Sequence, residues 1–453
     1  MTRSRSILLA ASSLLCLASL SSAEQRPHYG GTLRIAVRET PQSIDPATLA
    51  ASGSANISRL IFETLVRLDE TGRVQPLLAS SWQSEPGNQR WRISLRDGVS
   101  FSDGFPLDAA SVVASLRSSN PDWKVVAVGE MIIIESASPE PDLPAELALP
   151  VNAIVHRSGG KLSGTGPFSV SDWTAGKHLS LSANDGYWSG RPFVDSIEIT
   201  FGVADREQLL ALDLGKADMV EIASENIRRA RADGRTVFSS EPAQLLALEF
   251  ANDPRNDDET RARNALAASL DTTALGDFVM QGSGDPTAAL LPTWLSGYAF
   301  VFPAAKQSDH ALQERAQSRR LPSWTLTYNS SDPVAHVIAD RVLLNARDAG
   351  IFLQLVSSGA ADIRLARMPL ASSDAHLALT QLAAALQLAP PKFNSVSVGD
   401  LYAAEKALLQ SRRVIPLLHL RTAIAVRTNV RDFSMLPDGT WKLSNIWLAP
   451  EKQ

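Results

Sequence analysis

Between Trp324 and Val356 the sequence runs "WTLTY", then "DPVAHVIADRVLLNARDAG", then "IFLQLV". An apolar run, a stretch with apolar residues at helical spacing and a second apolar run make a strand, helix, strand unit, whose two strands must lie parallel. Parallel pairs need helices to cover the sheet, so this half of the chain is an α/β lobe. Val334, Val337 and Ile338 mark the helix face expected to turn inward, and Gly350 its stop.

The first half is richer in strands. Leu33, Ile35 and Val37 alternate with arginines in "GGTLRIAVRE", and Trp91, Ile93 and Leu95 do the same in "WRISLRDG". "HLSLSA" and "SIEITF" repeat the period of two, the second through Ile197, Ile199 and Phe201. Helices follow later: acids at Asp257 to Glu259 precede Ala262, Ala265, Leu266 and Ser269, and "VGDLYAAEKALLQSR" precedes the buried strand "VIPLLHL". Proline-rich Ala137 to Pro150 and the polar stretch around "AAKQSDHALQERAQSRR" read as surface loops.

The first residues, "MTRSRSILLAASSLLCLASLSSA", have the basic, apolar and small-residue zones of a secretory signal peptide ending at Ala23, with Ser21 at minus three. Cleavage there leaves roughly 430 residues, more than one core usually serves, so two or more lobes are expected. It also removes Cys16, the sole cysteine, and with it disulfides, thiolate metal sites and cysteine nucleophiles. Loss of Arg3 and Arg5 takes the formal charge from −5 to −7, which gives no basic face for nucleic acid.

Three stretches invite a chemical reading. "LRDGVSFSDGFPLDAASVVASL" (Leu95 to Leu116) looks like a row of carboxylates, but Asp97-Gly98 and Asp103-Gly104 are turn pairs and Asp108 is placed to cap a helix. "GTGPF" lacks the lysine and hydroxyl of a phosphate-binding loop. "PQSIDPAT" and "ASGSANIS" follow the first strand, where an open α/β sheet places ligand contacts, and they can equally be a capped helix start. The histidines are scattered, with no His-Glu-x-x-His, and no Gly-x-Ser-x-Gly elbow occurs, so neither a metal site nor a hydrolase is expected.

"GGTLRIAV", "SIDPAT", "IFETLVRLDETGRVQPLLASSW", "WRISLRDGVSFSDGFPLDAASVVASL", "GTGPFSV", "NDGYWSGRPFVDSIEITF" and "LLALDLGKADMVEI" stand in register over Gly30 to Ile222. In this order and spacing the chain resembles the bacterial extracellular solute-binding proteins of family 5, the dipeptide-, oligopeptide- and nickel-type substrate-binding subunits of ABC importers. The resemblance implies a two-lobed α/β periplasmic binding protein of the type II, large peptide-binding subclass. Its first lobe would span 24–245 with a C-terminal return over 428–453, its second 246–427, with a hinge near "LLALEF" and "TAIAVR". It further implies a periplasmic, monomeric, non-enzymatic protein without cofactor, which hands a peptide-like solute to permease subunits. A sensor or adaptor on the same scaffold is the alternative.

Candidate contacts are Ser52, Ser54 and Asn56 after the first strand, Gly164, Thr165 and Gly166 of the glycine-rich turn, Phe250 and Asn252 past the first crossing, and Trp294. Among the other tryptophans, Trp82, Trp123, Trp173, Trp188 and Trp324 are weaker candidates for stacking. Peptide binders of the family commonly carry Trp-x-x-Asp in the second lobe, the aspartate pairing with the peptide amine. Here Met368 and Ala371 occupy those places, and Asp374, three residues on, is the nearest substitute. The family also usually has acids at the places of Ala110 and Ser111, so the helix after Asp108 is expected to lack the reciprocal half of a capping box.

Overall fold

The computed structural model describes residues 26–51, 54–298, 302, 323–330, 332, 334–356, 360–370, 372–393 and 397–450. Residues 1–25, which include the expected signal peptide, together with Ser52, Ala371 and the stretch around "AAKQSDHALQERAQSRR", lie outside the described residues.

An 11-stranded sheet runs through the molecule. From one edge it passes through Phe168–Thr174, His178–Ala183, Ser196–Thr200, Thr32–Ala36 and Met219–Ile222. It then reaches the long strands Val414–Val426 and Thr236–Phe250, followed by Ile363–Pro369, Ser323–Tyr328 and Phe352–Leu355. Gly284–Pro286 pairs with the long strand Val414–Val426 off this path.

The parallel pair read from the sequence is present: Trp324 lies opposite Leu353 and Leu326 opposite Leu355. The helix between them spans Ala335–Asp348. Its inward face is Ala335, Ile338, Ala339, Val342 and Ala346, whereas Val337 is 50% exposed. The expected Val337–Ile338 face is corrected by geometry: at about 100° per residue Val337 points roughly opposite to Ala339, away from the line of buried residues. Gly350 ends the unit with φ +74°.

The two halves of the sheet meet at the long strands. Ser239 pairs with Ala423 and Gln244 with Leu420, with register shifts on both sides of Pro242. Before the shifts, Val414–Val426 also pairs with Met219–Ile222; after them, Thr236–Phe250 pairs with Ile363–Pro369. Pro242 has no N–H for the ladder, which accounts for the shifts on either side of it, and a third shift falls between Leu246 and Ala247.

A separate sheet of Ala79–Ser84, Arg90–Leu95, Met131–Glu135 and Lys124–Val128 packs against the helix Ala109–Ser119, burying Ile93, Val112, Leu116 and Ile132. The Asp-Gly pairs turn as expected, with φ +74° at Gly98 and +85° at Gly104. One expectation is overturned. Asp108 accepts from the Ser111 N–H at 2.8 Å while the Asp108 N–H reaches Ser111 Oγ at 3.3 Å, so the capping box is complete. A serine hydroxyl at the third position does what a longer acid does elsewhere. The proline-rich stretch also differs from a simple loop: Leu143–Glu146 is helical, and Leu143, Leu147 and Leu149 are buried.

Candidate functional site

A chamber of about 560 Å³ opens between the two halves. Its walls come from the helix Ala55–Ile61 and the segment after it, from residues 145–153, from the C-terminal segment 436–444, and, on the far side, from Ser372 and Ser373. The halves touch at its rim. Gly72, at φ +77°, lies so near the far side that a Cβ there would stand 2.5 Å from the Ser373 carbonyl oxygen. Leu377 packs on Ala145 and Leu149. Burial and the facing Asp374 raise the Asp142 carboxyl above its ordinary range, with His376 partly offsetting them.

Glu63, 7% exposed, organises the near wall. Its carboxylate accepts from Thr165 Oγ1 at 2.9 Å, Tyr187 Oη at 2.8 Å and Trp188 Nε1 at 2.9 Å. Burial pushes its pKa up, and these bonds and the nearby Arg96 pull it down. The helix end, the glycine-rich turn and the "GYW" turn are thereby fastened to one side chain.

Several other charges on the chamber wall already have partners. Asp69 accepts from Thr71 and Arg73 in its own turn, which holds its pKa near about 2. Glu70 pairs with Lys442 at 3.0 Å. Arg59 and Arg67 make no hydrogen bond or ion pair with the described residues, and the charge sensed by Arg59 is that of Asp438.

A second group of charges gathers where strands Thr32–Ala36 and Met219–Ile222 end, on either side of the point where the sheet order reverses. The Arg38 N–H donates to Glu221 at 2.8 Å, and Arg38 Nε lies 3.2 Å from Asp205. Ser54 donates to Glu39, whose carboxyl is pushed up to about 7, chiefly by burial. Glu225, 6% exposed, senses Arg367 and Asp332 from the far half, which form an ion pair at 2.7 Å beside a cavity of about 390 Å³.

Glu146 is likewise raised to about 7, by burial and by Glu140 and Asp142. Raised carboxyls bind protons more tightly folded than unfolded, so the stability they give is fully present below the ordinary 4.5 and is lost as pH rises through about 7. His419, kept neutral down to about 4 by burial, opposes this only below its ordinary 6.5. The melting temperature is therefore expected to rise from pH 8 to pH 6.5, and Glu39→Gln to flatten that slope. An unchanged slope in the variant would remove Glu39 from the account.

The candidates from the sequence meet different fates. Asn56 lines the chamber, yet its amide is spent on the C-terminal segment, donating to the Gly439 carbonyl at 3.1 Å and accepting from the Trp441 N–H at 2.9 Å. Ser54 is 2% exposed and serves Glu39. Gly164, Thr165 and Gly166 are all buried, packed against the end of the helix at Ile61. Phe250, 1% exposed, is core, with Trp324 edge-on at 5.2 Å and the Arg263 guanidinium over its ring at 4.0 Å. Asn252 is exposed. Trp294 is half-buried and donates to the Pro242 carbonyl at 2.8 Å, bracing the irregular crossing.

Asp374 caps the helix Ala375–Ala385, accepting from the Leu377 N–H at 2.9 Å. Asp374→Ala should cost about 1 kcal/mol of stability, the worth of an N-cap, in urea unfolding. A cost near zero would mean the cap is unused.

Trp123 and Trp324 are buried in cores, and Trp188 is bound to Glu63. The chamber residues that sequence reasoning passed over are Arg59, Glu63, Tyr187 and Trp441. The first three lie in or beside stretches with a clear pattern, but only packing reveals that they converge.

The model of the bacterial extracellular solute-binding proteins, family 5 Middle, matches residues 73–382. The chain belongs to that family. Among its curated relatives, the nickel-binding protein NikA of Staphylococcus aureus is 25% identical over 244 residues, 50% of this chain. The matched part spans about half of that relative, 49% of its length. The oligopeptide-binding protein OppA of Bacillus subtilis is 23% identical over 387 residues, covering 72% of this chain and 71% of that one. Among solved structures, the periplasmic binding protein DppA of Helicobacter pylori in complex with the peptide STSA superposes with a TM-score of 0.78 at 16% identity, over 95% of this chain and all of the other. At that identity the likeness shows the fold, the two-lobed architecture of family 5 proteins. Among the described residues no helix is long and apolar enough to cross a membrane.

Proposed function

We propose that the protein captures a peptide or similar small solute in the chamber between its halves and presents it to the permease subunits of an ABC importer, outside the cytoplasmic membrane. The observation that carries the proposal is that the chamber has walls from both halves, brought together by Gly72 against Ser373 and by Leu377 against Leu149 and Ala145. A solute there touches both, so it favours the form in which they meet. The lobes are assigned to 24–245 with the return 428–453, and to 246–427. Bending is assigned to the irregular pairing of the two long strands between Ser239 and Ala247.

Exported, monomeric protein without catalytic activity is part of the same reading. The test is a thermal-shift screen of the purified protein against short peptides, opines, sugars and metal chelates. A true solute raises the melting temperature with concentration, as mass action requires, and is recovered chemically unchanged. Cells lacking the gene should then lose uptake of that solute. Absence of any shift across the screen, or turnover of a bound solute, would overturn the proposal, and binding without an uptake defect would redirect it to sensing.

A further inference from the structure

We infer that the chamber recognises its solute through an acidic group, a carboxylate or phosphonate, anchored by Arg59 with Arg67 as second cation. The inference rests on the solute-binding reading above and adds the class of solute.

It follows from which charged groups of the wall are already engaged. The acids there are Glu63, Asp69, Glu70 and Asp438, and the bases are Arg59, Arg67 and Lys442. Glu63 has both oxygens occupied by three neutral donors. Asp69 is consumed by its own turn, and Glu70 and Lys442 neutralise each other. What is left is Asp438, which accepts only from the Thr440 N–H in its turn and whose charge Arg59 senses, and two arginines of the wall, Arg59 and Arg67, that have no hydrogen bond or ion pair among the described residues. The wall counts four acids to three bases, so it is not positive as a whole; what it has in excess is guanidinium donors without an acceptor.

A cation withdrawn from water without a partner is costly, and burial indeed pulls the Arg59 guanidinium below its ordinary value. A bound carboxylate supplies the missing partner and meets the planar donors of a guanidinium two at a time. The opposite end of a peptide finds less. Asp374, the nearest acid to the expected amine site, is engaged in its helix cap, and Ser372 and Ser373 are the chamber residues of that segment.

The test uses matched pairs on the whole protein: short peptides against their C-terminal amides, aldonic acids against the parent aldoses, and alkyl phosphonates against alcohols. Thermal shift and calorimetry are run on wild type, Arg59→Gln, Arg59→Lys and Asp438→Asn. The expected result is that the ligands found are acids and that Arg59→Gln weakens the best of them roughly 10- to 100-fold, the value of a charge-assisted hydrogen bond. Arg59→Lys should restore part of the loss, and Asp438→Asn should tighten binding. Asp438→Asn keeps the inference testable if Arg59→Gln fails to fold.

Neutral partners binding as well as acids, or acid binding indifferent to both Arg59→Gln and Asp438→Asn, would overturn the inference and leave the solute-binding reading standing. No ligand in any class would overturn both.

Discussion

Gly164→Ala is expected to destabilise the protein by about 3 kcal/mol or more, although it adds a single methyl group. A Cβ there would stand 1.9 Å from the Ile61 carbonyl oxygen and 2.7 Å from Phe62 Cδ1. The obstacle is mainly backbone, at the end of the helix Ala55–Ile61, so it cannot be relieved by a rotamer change. The Gly166 N–H donates to the same Ile61 oxygen at 3.0 Å, and the Ser102 N–H to the Gly164 oxygen at 2.9 Å, so a shift of the turn breaks bonds on both sides. Urea unfolding of Gly164→Ala beside Gly98→Ala separates close packing from backbone preference, since nothing lies within 4 Å of a Cβ at Gly98. If the two variants lost equal stability, the close approach would not be what requires glycine at 164.

The second large effect is expected at Glu63. Alanine there leaves the Thr165 hydroxyl, the Tyr187 hydroxyl and the Trp188 indole without their acceptor in a buried place, at a cost of about 3–5 kcal/mol. Glutamine keeps one acceptor oxygen but turns an amide toward donors, so its cost should fall between. Thermal unfolding checks the order, wild type above Glu63→Gln above Glu63→Ala. The near wall of the chamber should loosen in step, read as faster hydrogen exchange at residues 164–168 and 186–188. A Glu63→Ala protein as stable as wild type would show the three donors to be satisfied by water.

Much of the architecture was legible in the chain. The period of two at Leu33, Ile35 and Val37, and the apolar, helical, apolar succession from Trp324 to Val356, each produced the element they imply. Local rules suffice there because strand alternation and helix spacing are set by backbone geometry alone. They failed where several segments compete for one surface. Val337 lost the inward face to Ala339 and Val342, and Ser111 completed a capping box that residue type alone had not suggested.

The candidate contacts show the same limit more sharply. Thr165 and Phe250 carry the residue types of a site but face inward, one to Glu63 and one to Arg263 and Trp324. Arg59 sits in the plain stretch "NISRLI" and became a candidate only when Asp438, nearly four hundred residues away in sequence, was brought to face it.

The sequence by itself determined the class of fold and the family, since these depend on periodicity, turn residues and motifs read over short distances. Only the tertiary structure decided which polar groups are spent and which remain free. Glu63, Asp438 and Arg59 meet their surroundings through segments distant in sequence, and burial sets how much an absent partner costs.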